Sequence, residues 1–524
     1  LLEFQAAVSD MQNALNAADS KDDLSTAVRK ARAAGLQHDL IAACEGRIAE
    51  LAKQEKAKKM KAEADKVLTK KAAGADSKVD IAALKTAIKD GKYTDKAWPT
   101  NKYGNKAKEF EIKRFTSLLR GQQPKVVVNG IDPDDINQGM LGDCWFLSAL
   151  ACAAYAGRLQ PILIYQDEEA GLYVVRFIKD GAVRDIVVDD FFPTIYGQLA
   201  FASSTNQNEA WPQVLEKAYA KLHGSYDAIV GGFVSDGLVD LTGGIGSILD
   251  ISDQGAAIRD GSLWQKLLNW TNTCHLLGCG SQDGSDTEVN SSGIVKGHAY
   301  SILRLVQVDQ HRLLRLRNPW GKKEWKGKWS DKDTESWTQR MRKKLDYKDA
   351  EDGSFWMAFE DFVVQFRNVY VCRVFDDADW KSISISSEWK GSTAGGCSNF
   401  PTYKNNPHFR VKVKRPTKVV VILAQADPRI GSTAKADRRL LAIGFKMVEP
   451  SRGDPMKPSH TRVLDSGTYS HDREVYCEDD LAPSAAGDYF LIPTTFSPKE
   501  ERRFRLKVMW QGDDGDIECY PASE

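Results

Sequence analysis

The sequence predicts a multidomain α+β protein with a helical N-terminal region, a mixed helix-and-strand core and an all-β C-terminal region. Three observations lead to this fold class. Residues 1–95 are rich in Ala, Lys, Asp and Glu and hold no Trp before Trp98. The middle of the chain alternates helical and strand patterns, and from about residue 375 strand patterns follow one another without helical periods. A length of 524 residues leaves room for several domains of roughly 100–200 residues each.

The N-terminal region, residues 1–95, is predicted to be helical because apolar residues such as Leu24, Ala27 and Val28 recur at helical spacing. Residues 18–21 and 75–78 both read Ala-Asp-Ser-Lys and precede Ala-rich stretches, which indicates a degenerate repeat. These helices carry no residues typical of a reaction. A protein partner, or a helical bundle, is therefore their expected role.

The core begins at about residue 96. Residues 172–178 and 183–188 alternate like two paired strands across a turn at Asp180-Gly181, and residues 209–222 have a helical pattern. Glycines then cluster between residues 231 and 246, where we expect a hinge. Further strands are predicted at residues 294–305 and 312–317.

The C-terminal region is predicted to be a β-sandwich, because many strand patterns occur there without helical periods. These patterns lie at residues 382–386, 409–413, 418–423, 440–445, 488–492 and 504–510. Arg410, Lys412 and Lys414 alternate along one strand, with Arg415 beside them. A solvated strand face is the commoner meaning of this stripe, and a phospholipid membrane surface is the functional alternative.

Composition excludes several classes of protein. The chain is 42% hydrophobic and 27% charged, which is typical of a soluble globular protein. Since 72 Lys and Arg balance 72 Asp and Glu, no overall basic footprint for nucleic acid exists. Nine cysteines are too sparse for a disulfide framework and favour a reducing, cytoplasmic location. We expect no signal peptide and no membrane span, although the chain begins at Leu1 rather than Met.

The segment around Cys144 carries most of the chemistry. It reads Gln-Gly-Met-Leu-Gly-Asp-Cys-Trp-Phe-Leu from Gln138 onwards, and the residues after Cys144 favour a helix. Cys144 would then begin that helix, where free N–H groups stabilise a thiolate, the nucleophile of acyl transfer. Gln138 is a candidate amide donor to a developing oxyanion. Taken alone, a buried structural cysteine is the commoner meaning of this pattern.

A base and its partner occur further along the chain. His298 follows Gly297 inside a strand pattern, about 150 residues after Cys144, close to the roughly 130–150 residues that separate the two in papain-like enzymes. Asn318, in Arg-Asn-Pro-Trp-Gly, can accept from the imidazole, and Trp320 can shield that bond from water. A lone strand histidine is more often a core residue and Asn-Pro more often a turn. The three elements in this order favour catalysis.

These segments resemble the active-site signatures of the calpain family of cysteine proteases. The similarity covers residues 138–147, 293–302 and 317–321, and extends to residues 211–221, 352–357, 395–400 and 487–493. It runs from about residue 100 to about residue 510, so that the N-terminal helical region does not resemble the family's usual parts. No calmodulin-like EF-hand domain follows the sandwich, which predicts an atypical calpain.

The resemblance implies a fold and a set of roles. The core becomes a two-lobed papain-like cysteine protease, with residues 96–237 as the cysteine lobe and 238–374 as the histidine lobe. Residues 375–524 become a C2-like antiparallel β-sandwich. The implied catalytic residues are Cys144 as nucleophile, His298 as general base, Asn318 as orienting residue, and Gln138 with the Cys144 N–H as oxyanion hole. The implied substrate-binding residues are Gly237 and Gly297, whose backbones pair with an extended protein substrate, and Trp320.

Calcium is the cofactor that the resemblance implies, with one site on each lobe. The first site maps onto the carbonyls of Val128 and Gly130 and the side chains of Asp135 and Glu216. The second maps onto Glu324, Asp331, the Ala350 carbonyl, Asp352 and position 354. This last position is usually Glu in the family and is Ser354 here, so we expect the second site to be weaker or absent. Calcium would close the lobes and shorten the distance from Cys144 to His298.

Three functions remain open at this point. The first is an intracellular, calcium-dependent cysteine endopeptidase that makes limited cuts in proteins. The second is a catalytically silent scaffold that binds partners or membrane, against which the intact Cys144, His298 and Asn318 argue. The third is another thiol acyltransferase, such as a transglutaminase-like enzyme. The spacing from Gln138 to Cys144 and the Trp after Cys144 favour the protease.

Overall fold

A computed structural model describes residues 21–33, 41, 44, 47–48, 77–88, 91–273, 275–375, 379–430, 439–452 and 454–522. The chain falls into two compact units. The smaller unit is Leu1–Lys71 with Val79–Ala97, and the larger unit is Ala72–Lys78 with Trp98–Glu524.

The described part of the smaller unit contains two helices, in agreement with the prediction, and residues 91–97 are not helical. Helix α1 spans Lys21–Ala33 and buries Ala27 and Val28. Helix α2 spans Ile81–Ala87, and its N-terminus is capped by the Asp80 carboxylate, which accepts from the Ala83 N–H at 3.0 Å. The predicted repeat at residues 18–21 and 75–78 lies largely outside the described residues and stays a prediction.

The first part of the larger unit, residues 98–242, is here called the cysteine region. Its helices are α3 (Asn105–Lys108), α4 (Cys144–Tyr155), α5 (Trp211–His223) and α6 (Val234–Thr242). Its strands are β1 (Glu111–Arg114), β2 (Ile136–Asn137), β3 (Leu163–Asp167), β4 (Leu172–Lys179), β5 (Ala182–Asp189), β6 (Phe191–Ile195), β7 (Gln198–Leu199) and β8 (Ser203–Ser204). They form small antiparallel sheets ordered β3-β4-β5, β1-β6-β7 and β2-β8.

Helices α4 and α5 build the core of this region. Helix α4 is apolar on every side and is buried from Trp145 to Ala154. Phe146 of α4 stacks on Tyr219 of α5 with ring centroids 3.8 Å apart. Helix α5 ends at Gly224, whose φ of +103° is the left-handed conformation that glycine adopts at a helix C-terminus. The apolar pattern of both helices therefore sets the position of the chain entering α4, where Cys144 lies.

The second part of the larger unit, residues 245–374, is here called the histidine region. One antiparallel six-stranded sheet, ordered β13-β12-β11-β10-β14-β9, organises it. Its strands are β9 (Ile245–Asp250), β10 (His275–Ser281), β11 (Ala299–Val308), β12 (His311–Arg317), β13 (Ser354–Ala358) and β14 (Phe366–Arg373). Its helices are α7 (Gly255–Arg259), α8 (Ser262–Asn272), α9 (Gln339–Leu345) and α10 (Phe359–Gln365). It has its own core around Trp264, Tyr300 and Phe362.

The C-terminal part of the larger unit is a β-sandwich, as predicted. One sheet is ordered β15-β22-β17-β20 and the other β19-β18-β21-β16-β23, and both contribute to a single core. The strands are β15 (Trp380–Trp389), β16 (Phe409–Val413), β17 (Thr417–Gln425), β18 (Ile443–Ser451), β19 (Asp454–Asp465), β20 (Glu474–Leu481), β21 (Tyr489–Thr495), β22 (Arg502–Gln511) and β23 (Ile517–Pro521). The α+β class is thus confirmed. Within the described residues, no helix combines the length and the apolar character that crossing a bilayer requires.

A buried ion network joins the sandwich to the cysteine region. The Lys179 ammonium lies 2.5 Å from an Asp240 carboxylate oxygen and 2.6 Å from one of Asp427. Arg473 of the sandwich donates to the other Asp240 oxygen at 2.6 Å. Arg429 bonds Asp427 within the sandwich. The charges are nearly removed from water, so they hold the sandwich through paired groups rather than through isolated ones.

Candidate active site

Cys144 is the first residue of α4, in agreement with the sequence prediction. The Asp143 carbonyl accepts from the N–H groups of Phe146 and Leu147 at 2.9 and 3.1 Å and starts the helix. Burial of the sulfur raises the pKa of Cys144 to about 12, and the N–H of Ala299, which lies against the sulfur, opposes this shift. Burial therefore outweighs the stabilisation predicted from the helix N-terminus, and the thiol is the resting form.

His298 lies directly before β11 rather than inside a strand. Its N–H donates to the Ser281 hydroxyl at 3.0 Å, and its carbonyl accepts from the Ser281 N–H at 2.9 Å, which fixes the backbone at the end of β10. Gly297, with φ +55°, leaves no room for a side chain, because a Cβ there would lie 2.2 Å from the Gly284 carbonyl oxygen. Burial lowers the pKa of His298 to about 4, so the imidazole is neutral near pH 7.

Asn318 follows β12 and orients the His298 ring. Its Nδ2 donates to the carbonyls of Lys322 and Lys323 at 2.8 and 3.1 Å, so its Oδ1 must face the other way. That oxygen lies 2.9 Å from His298 Nε2. Because an amide oxygen only accepts, Nε2 carries the proton and Nδ1 of the neutral ring is the basic atom. Nδ1 has no hydrogen-bond partner among the described residues. The Trp320 ring covers His298, with centroids 4.8 Å apart.

Gln138 lies between the two regions. Its backbone N–H donates to the Pro319 carbonyl at 2.8 Å, and its Nε2 donates to the Leu141 carbonyl at 2.7 Å. The second Nε2 hydrogen is thus available for an oxyanion. Gly139, the next residue, is in close contact with β7 and its continuation, because a Cβ would lie 2.3 Å from the Ala200 carbonyl oxygen. Pro319 thus links Gln138 to the pair formed by Asn318 and His298, while Ala299, the residue after His298, lies against Cys144.

The structure contradicts the prediction for Gly237. This glycine lies inside α6 and is buried, and its N–H donates to the Phe233 carbonyl within the helix. Its backbone cannot therefore pair with a substrate. The glycine serves helix packing instead, since a Cβ would lie 2.8 Å from that of Ala149 in α4. The predicted hinge is likewise occupied by α6 over much of its length.

An exposed glycine pair, Gly231 and Gly232, contacts the residues on both sides of Cys144. Gly231 and Gly232 precede α6 and are exposed, and the Gly231 N–H donates to the Gly142 carbonyl at 2.9 Å. Gly232 packs so closely on the Trp145 ring that a Cβ would lie 2.5 Å from it. The double glycine in the sequence indicates such a close contact, since a close approach of the backbone requires residues without a side chain.

The first predicted calcium set is only partly assembled. The structure places Glu216 on α5, where it is buried. Its carboxylate accepts from the Ala202 N–H at 3.0 Å and faces the Asp143 carboxyl. Both acids are buried, which raises the pKa of Asp143 to about 7 and that of Glu216 well above its usual range. A proton held between them is the physical consequence, so we withdraw Glu216 as a calcium ligand.

Glu209, which the sequence analysis missed, contacts the loop of Val128 and Asp135, where Glu216 was expected. It accepts from the Val128 N–H at 2.6 Å, and it shares the Asn206 side-chain amide with Asp135, each carboxylate oxygen lying 3.4 Å from that nitrogen. Burial and the negative charge of Glu209 raise the pKa of Asp135 to about 6. Gly130, with φ +103°, shapes the same loop. Glu209 lies two residues before α5, and only the folded chain shows that it meets the loop of Val128 and Asp135.

The second predicted calcium set converges. Glu324 accepts from the Gly353 N–H at 2.8 Å, and Asp352 accepts from the Ser354 N–H at 2.8 Å. Burial and the nearby charges of Asp331 and Asp352 raise the pKa of Glu324 to about 7. Burial and the charge of Asp352 raise the pKa of Asp331 to about 6. Three carboxyls that repel one another in this way form an environment that a cation would stabilise.

Another acidic cluster has a different occupant. In the part of the chain that the structure describes, His223, Asp240 and Asp427 are the group of three His, Cys, Asp or Glu side chains whose ligand atoms all lie within 4.8 Å of one another. The Lys179 ammonium already lies between the two carboxylates. The cluster is therefore an ion-pair centre, and the predicted calcium sets are elsewhere.

The basic stripe on β16 is not a continuous free surface. Arg410 is buried, with its guanidinium 4.1 Å from the Phe490 ring centroid. Lys414 pairs with Glu518 at 2.5 Å. Arg415 pairs with Asp513 and Asp516. Only Lys412 of the stripe points outward without such a described partner, so the charge available to a lipid surface is small.

Two family models match the chain. The first, described as calpain family cysteine protease, matches residues 92–373. The second, described as calpain large subunit, domain III, matches residues 385–509. Together they cover the cysteine region, the histidine region and most of the sandwich.

Curated relatives carry the same names. A calpain-type cysteine protease, ADL1, of Oryza sativa subsp. japonica is 41% identical over 414 residues, which cover 74% of this chain and 18% of that protein. The calpain-type cysteine protease DEK1 of Zea mays is 41% identical over 410 residues, covering 74% and 19%. Calpain-8 of Mus musculus is 33% identical over 440 residues, covering 76% and 61%.

The chain thus spans about a fifth of the length of the plant relatives. Among solved structures, a clostridial cysteine protease, Cwp84, aligns over 74% of this chain and 83% of that chain at 11% identity, with a TM-score of 0.20, which is too low to bear on the fold. The first family model alone matches more than half of the chain, and the site geometry lies within its bounds. The chain therefore belongs to the calpain family of cysteine proteases.

Proposed function

We propose that this chain is a calcium-dependent cysteine endopeptidase that makes limited cuts in protein substrates through Cys144, His298 and Asn318. The observation that carries the proposal is the 2.9 Å hydrogen bond between Asn318 Oδ1 and His298 Nε2. It leaves Nδ1 as the basic atom of the ring, on the residue adjacent to Ala299, whose N–H contacts the Cys144 sulfur.

The reaction follows from these groups. Nδ1 of His298 takes the thiol proton as the Cys144 sulfur attacks the peptide carbonyl carbon, and the carbonyl electron pair moves onto oxygen. The Cys144 N–H and the free Nε2 hydrogen of Gln138 stabilise that oxyanion. His298 then gives its proton to the leaving amine, and an acyl-enzyme remains. A water molecule, deprotonated by the same Nδ1, attacks the acyl carbon and releases the acid and the thiol.

A conformational change is part of the proposal. With a thiol pKa of about 12 and an imidazole pKa of about 4, proton transfer from Cys144 to His298 is strongly uphill in this arrangement. Closer approach of the two groups would stabilise the ion pair that transfer creates. Calcium is the proposed driver, because carboxylates on both sides of the cleft carry raised pKa values and would gain from a bound cation.

The calcium ligands that fit best differ partly from those predicted. Asp135 and Glu209, with the carbonyls of Val128 and Gly130, form the proposed first site. Glu324, Asp331 and Asp352 form the proposed second site. Calcium is a hard cation that takes roughly six to eight oxygen ligands, and when bound it would draw each carboxylate set together.

The proposed substrate is an extended polypeptide. Gly297 supports this, since it lies beside His298 with positive φ, and the exposed pair Gly231 and Gly232 supports it from the opposite region. We propose the same two-lobed, papain-like organisation for the core and a C2-like identity for the sandwich. The two separate hydrophobic cores and the two-sheet architecture support these assignments. Free thiols such as Cys144 and Cys152 suit a reducing compartment.

The test is a calcium titration of the cleavage of an unfolded protein, with Cys144→Ala as the inactive control. Glu209→Gln is expected to raise the calcium concentration needed for half-maximal rate, whereas Glu216→Gln, which mimics a protonated acid, is expected to leave it unchanged. Equal rates in excess chelator and in calcium would refute the calcium requirement. Cleavage that survives Cys144→Ala would refute the nucleophile, and no cleavage by the unaltered protein would favour the scaffold.

A further inference from the structure

Two short segments, one from each region, lie side by side next to the catalytic groups. Residues 134–138 of the cysteine region end at Gln138, and residues 317–321 of the histidine region include Asn318. The Gln138 N–H donates to the Pro319 carbonyl at 2.8 Å at one end of the contact. At the other end, Asp134 meets side chains of the histidine region. The oxyanion donor and the orienting asparagine are thus connected by a pair of facing backbones.

Arg317 makes most of the contacts between these segments. Its side chain is fully buried. Its Nη2 donates to the Ile136 carbonyl at 2.6 Å and to the Asp134 carbonyl at 3.3 Å, and its Nε donates to Asp134 Oδ1 at 3.3 Å. Three bonds from one planar group fix direction as well as distance, which an ammonium group cannot do. Arg317 also directly precedes Asn318, so the position of the Arg317 backbone fixes that of Asn318.

Ser354 completes the contact. Its hydroxyl donates to Asp134 Oδ1 at 2.9 Å, and Arg315 approaches the other Asp134 oxygen at 3.4 Å. Within the described residues, the Asp134 carboxylate thus accepts from one neutral hydroxyl and two guanidinium groups, all of the histidine region. A Glu at position 354 would place a carboxylate against Asp134. The departure from the family pattern at Ser354 thus has a structural counterpart on the opposite segment.

We propose that Asp134, Arg317 and Ser354 form a clasp that holds Gln138 and Asn318 in register across the two regions without calcium, and that Arg317 is a positioning residue for the reaction. The proposal rests on the proposed function for its kinetic consequences but not for its structural ones. Ser354 then acts as a hydrogen-bond donor within the clasp and not as a weak calcium ligand in place of Glu. Because the clasp already holds residues 134–138 against residues 317–321, the proposed effect of calcium is confined to the distance between Cys144 and His298.

The first experiment measures hydrogen exchange at the Gln138 amide of the full chain in excess chelator, where activity plays no part. Asp134→Asn, Ser354→Ala and Arg317→Lys are each expected to speed exchange, since each removes one or more bonds of the clasp. Arg312→Lys is the matched control, because Arg312 lies on the same strand and pairs with Glu360 at an exposed site. Unchanged exchange in all three clasp variants would overturn the proposal. If Arg317→Lys fails to fold, the other two variants decide.

The second experiment separates positioning from stability. At saturating calcium, Arg317→Lys is expected to lower kcat roughly 10- to 100-fold with KM nearly unchanged, because a displacement of the order of 1 Å costs about that much. Ser354→Glu is expected to lower kcat as well. A Ser354→Glu variant that keeps kcat and needs less calcium would overturn the clasp and assign the position to the metal. A wild-type chain without activity would refute the proposed function alone, since the exchange experiment would still test the clasp.

Discussion

Replacing Lys179 with Met is expected to destabilise the larger unit by about 3–5 kcal/mol, the usual result of breaking a buried ion pair. The Lys179 side chain is 1% exposed, and its two partners, Asp240 and Asp427, are 0% and 1% exposed. Arg429 remains beside Asp427, and Arg473 remains beside both carboxylates, but its 3.9 Å approach to Asp427 does not replace the 2.6 Å bond from Lys179. Methionine fills a similar volume, so the loss is electrostatic rather than a cavity.

The assay is urea unfolding of the full chain followed by tryptophan fluorescence, with Lys113→Met as the control. Lys113 pairs with Glu111 at an exposed site, where such pairs contribute roughly 0–1 kcal/mol. Adding Asp427→Asn to Lys179→Met removes one of the two carboxylates that have lost their Lys179 partner. This is expected to restore part of the loss, as a coupling that a double-mutant cycle detects. A Lys179→Met variant no less stable than Lys113→Met would refute the reasoning. So would a double variant whose losses simply add.

Three further results are expected. Asn318→Ala should lower kcat by roughly a hundredfold or more, because His298 loses the acceptor that fixes its tautomer, and an unchanged kcat would contradict the assigned geometry. His223→Gln should make stability less sensitive to acid. Burial lowers the pKa of His223 from 6.5 to about 4, so between these pH values the folded state binds fewer protons than the unfolded state. The free energy of unfolding of the wild type therefore falls by up to about 3 kcal/mol as the pH drops from 6.5 to 4. Equal dependence of stability on pH in the wild type and the variant would contradict this. Gly237→Ala should lower the free energy of unfolding by about 1–3 kcal/mol, measured by thermal denaturation, and leave KM unchanged. A large rise in KM would show instead that Gly237 binds substrate.

The inner strands of the sandwich could be predicted from the sequence, and three of its four edge strands could not. The predicted strands fall within or overlap β15, β16, β17, β18, β21 and β22, whose alternating apolar residues face a shared core. The missed strands, β19, β20 and β23, all lie at sheet edges. Strand β20 reads Glu-Val-Tyr-Cys-Glu-Asp-Asp-Leu, and such polar edges carry little alternation because one side meets solvent. Hydrogen bonds to a neighbour, not pattern, make them strands.

Local sequence patterns likewise indicate some residues of the candidate site and not others. Cys144, His298 and Asn318 could be found because their neighbours are local: a helix start, a glycine and an Asn-Pro turn. The assignments of Gly237 and Glu216 were wrong because no local pattern shows what either residue contacts. Only the fold shows that Gly237 packs on α4 and that Glu216 faces a second acid. The position of Glu209 depends on a loop 81 residues away in sequence, to which it bonds. No local pattern encodes such a contact.

The contact between Arg429 and Trp145 bears on how this protein could be recombined. Arg429 belongs to the sandwich, yet its guanidinium lies 5.1 Å from the ring of Trp145, the residue directly after Cys144, and it also bonds Asp236 at the start of α6. The two family models divide the chain between residues 373 and 385, but this interaction crosses that border. A sandwich exchanged from a relative would therefore have to bring an arginine that reaches Trp145 and Asp236, so the two parts have to be exchanged together even though each folds around its own core.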